Sequence, residues 1–402
     1  MTVRVLIVED SLIAQAMLKR LLHHPPQVEV VGVANTGLDA LQQMGSVQPD
    51  VICTDLHMPK MNGLELTQAV MARSPIPILV FSASVQPEDT RTVFKLLEAG
   101  AVDVFPKPRI ESPESYAQLQ KSLLQRIQVL AGVTVFTRKP RAQGMPQAPA
   151  ATQPTPFQPL ADAAEASPAK GSGAMVAGLT SSMSMDSASM GSASIRSAST
   201  GTVQPLQAAM PPRVVAIGAS TGGPQALKTI LSQLPAAFPL PVLCVQHISP
   251  GFLAGLTDWL QTLCPLKVQI ARAGDRPQAG NIYFAPEQLH LELDRQGCFV
   301  QNARALVDGH RPSVTVLFEA VATYYRAAAL GVLLTGMGKD GAQGLKVIHE
   351  AGGQTIAQDQ ASSVVFGMPQ AAIALGAVQR IAGVGAIAPL ILQKCQVRRT
   401  VI

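Results

Sequence analysis

Short apolar runs alternate with segments of helical periodicity along the first third of the chain. Mostly apolar runs at residues 3–8, 28–34, 51–54, 78–81 and 102–105 predict strands that are buried on both faces. Apolar residues recur at helical spacing between them, following residue 11 and at about 38–44, 64–71, 88–99 and 114–130. Regular alternation of strands and helices predicts a parallel sheet that carries helices on both faces.

Polar residues stand where the predicted strands of this first third end. Glu9 and Asp10 close the first strand, Asp55 the third, Ser82 the fourth and Lys107 the fifth. Ligands of such sheets bind outside the carboxyl ends of the strands, so we expect these side chains to converge. Three converging carboxylates repel one another unless a hard cation lies among them, and Mg²⁺ is the natural candidate. An ordinary solvated acidic rim does not account for suitable residues at so many strand ends.

Residues 1 to about 130 resemble response-regulator receiver domains, which have a flavodoxin-like fold with a parallel five-stranded sheet. The resemblance implies that a partner histidine kinase phosphorylates Asp55. It implies a Mg²⁺ site whose ligands are Glu9, Asp10, Asp55 and the backbone carbonyl of His57. It also implies a conformational switch formed by Ser82, Phe105 and Lys107. An acyl phosphate would bring a charge of about −1.5 to −2 and several acceptor oxygens to this switch.

Helical and strand periodicity both end at about residue 134 and do not return before residue 210. The segment is rich in Pro, Gln, Ala, Ser, Met and Gly and has few large apolar residues, so it cannot form a core. We therefore expect a flexible linker at 132–210, between a receiver domain at 1–131 and a second domain at 211–402. A flexible chain of this length spans about 50 Å, which argues against tight docking of the two domains.

Composition excludes several classes of function. Charged residues make up 14% of the chain and the net charge is +5, but no basic stripe with interleaved aromatic residues occurs, so we expect no nucleic-acid partner. The five cysteines include no Cys-x-x-Cys pair and are expected to be buried, reduced thiols. The chain start lacks the form of a signal peptide, and no apolar run approaches the ~18 residues that span a bilayer. We expect a cytoplasmic protein without direct membrane insertion.

The glycine-rich turn at residues 218–223 follows an apolar strand and opens a helix. Ser220 lies in this turn, and Pro224 suits the first turn of the helix that follows. A hydroxyl at the carboxyl edge of a sheet, beside free helix N–H groups, is well placed as a nucleophile. The same position would suit a bound phosphate.

Two further side chains favour the nucleophile. His247 follows the apolar run 242–245, and Asp340 follows the run 329–334. If these strands are parallel neighbours of the strand before Ser220, a hydroxyl, a base and a carboxylate meet at one sheet edge. Other candidates exist, namely His290, His310, Asp275 and Asp308, but the three chosen residues each close an apolar strand. His310 lies in an extended segment and is expected to shape a pocket wall.

The phosphate-binding alternative has weaker support. A nucleotide-binding turn needs an acidic residue about twenty positions on, yet residues 221–257 contain no Asp or Glu. The glycine spacing also differs, and no Walker lysine follows. The order Ser, His, Asp along the chain argues against the α/β-hydrolase fold, which runs Ser, Asp, His.

Several strings in the second half resemble CheB-type chemotaxis methylesterases. They are residues 217–223 (IGASTGG), 246–247 (QH), 309–314 (GHRPSV), 334–341 (LTGMGKDG) and 366–369 (FGMP). The resemblance implies a doubly wound, mainly parallel α/β domain and a triad of Ser220, His247 and Asp340, with no cofactor at the hydrolase site. It further implies that Thr221 positions His247 and that the Met337 N–H serves an oxyanion hole.

The implied activity is hydrolysis of glutamate methyl esters on the cytoplasmic helices of chemoreceptors, with deamidation of specific receptor glutamines. A chemotaxis histidine kinase would be the phosphodonor. Two other hypotheses remain open, namely an esterase that serves a different signalling array and a catalytically silent module that only binds partners. A DNA-binding output would need a helix-turn-helix, and no such pattern follows the receiver-like segment.

Overall fold

The first sheet is formed by the receiver-like third of the chain. In the computed structural model, which describes residues 2–82, 87–107, 113–133, 135 and 210–395, its strands are β1 (Val3–Val8), β2 (Val28–Ala34), β3 (Val51–Asp55), β4 (Ile78–Ser82) and β5 (Asp103–Pro106). All pairs are parallel, and the strand order is β2-β1-β3-β4-β5. This sheet confirms the parallel receiver-type fold that the alternation predicts.

Five helices cover the two faces of this sheet. They are α1 (Leu12–Leu22), α2 (Gly37–Val47), α3 (Gly63–Arg73), α4 (Pro87–Ala99) and α5 (Pro113–Ala131). Local capping explains where several of them begin. The Ser11 side chain accepts from the Ala14 amide at the start of α1, and Asn62 and Glu65 form a reciprocal capping box at the start of α3.

The second sheet is larger and also entirely parallel. Its strands are β6 (Val214–Ala219), β7 (Val242–Gln246), β8 (Lys267–Ile270), β9 (Asn281–Phe284), β12 (Ala329–Leu333), β13 (Gln354–Gln358) and β14 (Arg380–Ala382). Their order is β14-β13-β12-β6-β7-β9-β8. A separate antiparallel ribbon pairs β10 (His290–Leu293) with β11 (Phe299–Asn302). The sheet confirms the predicted mainly parallel architecture, whereas the sequence patterns indicated only β6, β7 and β12.

The helices of the second domain are α6 (Gly223–Leu231), α7 (Leu253–Gln261), α8 (Val314–Tyr325), α9 (Ala342–Glu350), α10 (Gly367–Ala374) and α11 (Val384–Lys394), with one 3₁₀ turn at Arg326–Ala328. Strand β6 lies between β12 on one side and β7 on the other. The connection after β6 leads to β7 on one side of it, and a later connection brings the chain back to β12 on the other side. Such a topological switch point is where open α/β sheets form their ligand crevices.

The two domains are in direct contact. The segments on either side of residues 141–207 form one compact unit. Phe94 on α4 stacks on Trp259 of α7 with ring centroids 5.1 Å apart and planes at 14°, and Lys228 on α6 pairs with Glu98 at 2.5 Å. The predicted linker lies almost wholly outside the described residues. Its length argued against this docking, but apolar burial at α4 and α7 holds the domains together.

Within the described ranges, no helix combines the length and the apolar character that a membrane crossing requires.

Candidate active site and phosphorylation site

Four of the predicted receiver residues come together at the carboxyl end of the first sheet. Carboxylate oxygens of Glu9, Asp10 and Asp55 lie within 4.8 Å of one another. The Lys107 ammonium lies 2.8 Å from both Glu9 Oε2 and Asp55 Oδ2. Asp55 Oδ1 also accepts from the Leu56 amide at 2.6 Å. Three hard oxygen donors in this arrangement fit a divalent cation such as Mg²⁺.

Electrostatic strain at this cluster also favours a cation. Burial raises the pKa of Glu9, and the neighbouring charge of Asp55 adds to this effect despite the opposing Lys107. Burial opposes the charge of Lys107, but its bonds to Asp55 and Glu9 outweigh that effect and raise its pKa. A divalent ion would relieve the repulsion between the two carboxylates. The arrangement can therefore hold an ion beside Asp55, as the receiver resemblance implies.

The remaining receiver residues lie around the cluster. Ser82 ends β4, and its buried hydroxyl has no hydrogen-bond partner in the described part of the chain. Phe105 on β5 is buried and packs edge-on against Phe81, with ring centroids 5.9 Å apart. His57 is exposed in the loop after β3. The roles of these residues in metal binding and switching stay predictions.

Asp340 lies after β12 and is nearly fully buried. Its carboxylate accepts four hydrogen bonds: from His247 Nε2 at 2.8 Å, Ser313 Oγ at 2.7 Å, the Val314 amide at 2.8 Å and the Thr315 amide at 3.0 Å. Burial alone would raise the pKa of Asp340. The bond and charge of His247, with the Thr315 and Ser313 donors, instead hold that pKa well below its usual value.

The two backbone donors belong to the first turn of α8, whose positive helix end favours a carboxylate. Residues 309–314 carry one of the methylesterase-like motifs, but no sequence pattern indicated that this segment would hydrogen-bond to Asp340. The anchoring explains why an anion tolerates such deep burial, since a buried charge is stable only when it is hydrogen-bonded or paired.

His247 lies just beyond β7, and its ring has one engaged and one free nitrogen. Nε2 bonds to Asp340, so an ionised Asp340 holds the proton on Nε2 and leaves Nδ1 as the acceptor. Nδ1 is buried and makes no hydrogen bond within the described residues. The His310 ring stacks on the His247 ring, with centroids 3.7 Å apart and an interplanar angle of 7°. Burial, together with the charge of His247, lowers the pKa of His310 to about 4.

Ser220 directly follows β6 and is buried against the loop that precedes Asp340. Its amide donates to the Thr335 carbonyl at 3.0 Å. A Cβ placed on Gly336 would lie 2.7 Å from the Ser220 Cβ, so only glycine permits this close approach. The next residue, Met337, has an amide that donates to no group in the part of the chain that the structure describes. A free amide beside a serine hydroxyl is what an oxyanion hole requires.

The backbones of Ser220 and His247 are adjacent, since the His247 amide donates to the Ala219 carbonyl at 2.9 Å. The Ser220 hydroxyl makes no hydrogen bond to His247 among the described residues, and catalytic hydrogen bonds often shorten only in the complex with substrate. Thr221 likewise makes no bond to His247; its carbonyl accepts from Thr335 Oγ1 at 2.9 Å. The proposed positioning role of Thr221 stays a prediction.

A narrow crevice of about 20 Å³ lies at the boundary between the domains. It is lined by His247, Pro224 and Phe252 from the second domain and by Phe94 and Arg126 from the receiver domain, among others. The receiver domain therefore borders the candidate base directly. No sequence pattern indicated this contact, because it depends on the complementary shapes of two surfaces that different parts of the chain form.

Comparisons with known proteins identify the families that the two halves of the chain resemble. Residues 215–391 match the family described as CheB methylesterase, and residues 5–115 match the response regulator receiver domain. A protein-glutamate methylesterase/protein-glutamine glutaminase of Nitrosospira multiformis is 36% identical over 380 residues, covering 94% of this chain and 93% of the relative. A protein of the same name from Geobacter metallireducens, numbered 4, is 36% identical over 378 residues, covering 93% and 94%.

Among solved structures, the Thermotoga maritima CheB methylesterase catalytic domain is 35% identical in sequence to this chain. The match covers 46% of this chain and 99% of that domain, with a TM-score of 0.44. The similarity to the two relatives covers more than nine-tenths of this chain. The chain therefore belongs to the protein-glutamate methylesterase/protein-glutamine glutaminase family, with a receiver domain ahead of a CheB methylesterase domain.

Proposed function

We propose that this protein is a phosphorylation-regulated serine hydrolase of chemotaxis. It demethylates glutamate methyl esters on the cytoplasmic helices of methyl-accepting chemoreceptors and deamidates specific receptor glutamines. Both relatives are named for these two activities. The observation that supports this chemistry most directly is the 2.8 Å hydrogen bond between His247 and Asp340. These two residues follow the strands that flank β6, at the sheet edge where Ser220 lies.

The ester reaction begins with attack of Ser220 Oγ on the γ-carbonyl carbon of the glutamate methyl ester. His247 Nδ1 takes the serine proton, and Asp340 stabilises the resulting imidazolium. The Met337 N–H donates to the oxyanion, a contribution of about 3–4 kcal/mol for such a donor. His247 then gives the proton to the departing methoxide, which leaves as methanol. Water, activated by His247, hydrolyses the acyl-enzyme to free glutamate.

A receptor glutamine would follow the same course and release ammonia in place of methanol. The amide carbonyl is less electrophilic than that of an ester, so we expect deamidation to be the slower reaction. Neither reaction needs a cofactor at the hydrolase site, because the three side chains supply nucleophile, base and counter-charge.

Control of the hydrolase would come from the receiver domain, proposed at 1–131, acting on the catalytic domain at 211–402 in the cytoplasm. A chemotaxis histidine kinase would transfer phosphate to Asp55, with Mg²⁺ held by Glu9, Asp10, Asp55 and the His57 carbonyl. The ion would neutralise charge on the incoming phosphoryl group. Ser82 and Lys107 would then bind the phosphate oxygens and, with Phe105, change the surface that covers His247.

Asp55→Asn should abolish stimulation of methanol release by a small phosphodonor with Mg²⁺. The amide cannot form the acyl phosphate, so the receiver surface stays as it is. We would measure methanol from a methylated receptor fragment with and without acetyl phosphate. Asp50→Asn, at the opposite end of β3, is the matched control and should keep the stimulation. Equal stimulation of the Asp55 variant and the native protein would contradict the assignment.

Phe94→Ala should raise methanol release by the unphosphorylated protein about tenfold. Loss of the stack on Trp259 weakens domain docking by at least ~1.4 kcal/mol, which exposes the His247 crevice more often. Trp259 is the only tryptophan in the chain, so its fluorescence reports the same contact. We expect a red shift in the variant and in native protein given phosphodonor.

The control is Leu12→Ala on the receiver domain, where the native side chain is 75% exposed. It should change neither the fluorescence nor the unphosphorylated rate. If Phe94→Ala shifts the fluorescence but leaves the rate as in native protein, this contact does not restrain the hydrolase.

A further inference from the structure

Gln246 is the last residue of β7 and directly precedes His247. Its side chain is buried, with 4% of the residue exposed. Its amide nitrogen donates to the Ser220 carbonyl at 2.8 Å and to the His247 carbonyl at 2.8 Å. Both partners are acceptors, so the NH₂ end of the amide has to face them. One buried side chain thus bonds to the backbones of both the proposed nucleophile and the proposed base.

These bonds lie where the backbone ladder stops. The parallel pairing of β6 with β7 ends at Ala219 and Gln246, and the His247 amide makes one more bond, to the Ala219 carbonyl. The Ser220 carbonyl has no partner from β7 beyond this point except the Gln246 side chain. The glutamine therefore continues the connection between the two strands by one residue, at the position of the reacting groups.

Close packing fixes the Gln246 side chain. Gly223, the first residue of α6, lies against the amide, and a Cβ there would come within 2.0 Å of Gln246 Oε1. The Gly223 amide also donates to the Ser220 carbonyl at 2.7 Å, so that carbonyl receives one bond from α6 and one from Gln246. Both bonds restrain the Ser220 backbone, but only the one from Gln246 ties it to the backbone of His247.

We propose that Gln246 is a positioning residue for the hydrolysis, which sets the separation between Ser220 and His247. The proposal rests on the function proposed above, since it assumes that these two residues are nucleophile and base. Proton transfer from Ser220 requires its hydroxyl to reach His247 Nδ1 within hydrogen-bond distance, and a displacement of about 1 Å can cost 100-fold in rate.

The decisive variant is Gln246→Met, which keeps the length of the side chain but removes both donors. We expect kcat for methanol release to fall about 30- to 100-fold while KM stays within about twofold. The acid limb of the pH profile of kcat/KM, which reports the base, should stay in place. A glutamine that served stability alone would leave kcat unchanged in the folded protein.

Gln246→Glu adds a signature in the pH profile. A buried carboxyl facing two carbonyls has a raised pKa, and its protonated form keeps one O–H donor. We expect this variant to be faster than Gln246→Met at low pH and to lose kcat as its carboxyl ionises, producing an alkaline limb that native protein lacks. Absence of this limb, with kcat equal to that of Gln246→Met at every pH, would contradict a role for the donated bonds.

Gln354→Met is the matched control. Gln354 is also a buried glutamine of the same sheet, but its amide bonds to the Met210 carbonyl and to Lys394, at the start of β13. We expect it to lower the free energy of unfolding in urea and to leave kcat at the native value.

The proposal is overturned if folded Gln246→Met retains native kcat, or if Gln354→Met loses as much kcat. If native release depends on Ser220, either result refutes only the positioning role of Gln246 and leaves the proposed function intact. If native release does not depend on Ser220, the proposed function fails, and this proposal fails with it.

Discussion

Ser220→Ala should reduce methanol release from a methylated receptor fragment on the order of 10⁴- to 10⁶-fold. The methyl side chain removes the nucleophile but leaves the His247–Asp340 bond and the Met337 amide in place. What remains is the small acceleration that substrate binding and the oxyanion donor provide without covalent catalysis. Binding of the receptor fragment should stay close to native, because the change deletes a single buried oxygen.

We would measure methanol release in single-turnover experiments, with phosphodonor and Mg²⁺ present so that the receiver domain does not limit the rate. Ser232→Ala is the matched control, since Ser232 is an exposed serine at the end of the helix that Ser220 precedes. It should retain native activity. If Ser220→Ala releases methanol as fast as native protein, the glycine-rich turn is not a nucleophile site, and the phosphate-binding hypothesis regains support.

The sheets of this protein were predictable where burial affects both faces of a strand. Strands β3, β6 and β12 are buried along their whole length, which produces mostly apolar runs in the sequence. The polar residue after such a run marks the carboxyl edge of the sheet. That rule marks the strand ends near which Asp55, Ser220, His247 and Asp340 lie, and the structure brings the last two into direct contact.

Other parts of the architecture have no comparable signal. Strands β8 and β11 are only four residues long and partly exposed, and β14 is shorter still, so their patterns do not differ from those of loops. The donors that anchor Asp340 come from α8, whose place beside β12 depends on tertiary packing. The stack of Phe94 on Trp259 likewise joins residues far apart in the chain, and the local sequence around neither residue indicates which residue it contacts.

Asp340→Asn should lower kcat for methanol release about 10⁴-fold. The native carboxylate accepts four hydrogen bonds, from His247, Ser313 and the amides of Val314 and Thr315. An asparagine has one acceptor oxygen, so its NH₂ group must face some of these donors. In the native protein Ser313 and Thr315 donate to Oδ1, whereas His247 and Val314 donate to Oδ2. If the asparagine oxygen keeps the Ser313 and Thr315 donors, its NH₂ group faces the Val314 amide and His247 and favours the tautomer with its proton on Nδ1. That tautomer cannot accept the serine proton.

The same substitution should destabilise the protein in a pH-dependent way. The pKa of Asp340 is lowered in the folded state, whereas an unfolded aspartate has a pKa of about 3.9. Its ionisation therefore stabilises the fold fully above about pH 5, and this contribution declines as pH falls below the unfolded value. The deficit in unfolding free energy of Asp340→Asn should be constant from about pH 5 to 7 and should shrink towards pH 3.

Urea unfolding across this range, with single-turnover kinetics at pH 7, tests both effects. Asp308→Asn is the control, because Asp308 lies in the loop before His310 and pairs with the exposed Lys339. It should change kcat by less than about twofold and the unfolding free energy by less than about 1 kcal/mol. A deficit for Asp340→Asn that is as large at pH 3 as at pH 7 would mean that the carboxylate charge does not stabilise this fold. A kcat within tenfold of native would mean that His247 keeps its reactive tautomer without Asp340, and the triad would reduce to a serine and a histidine.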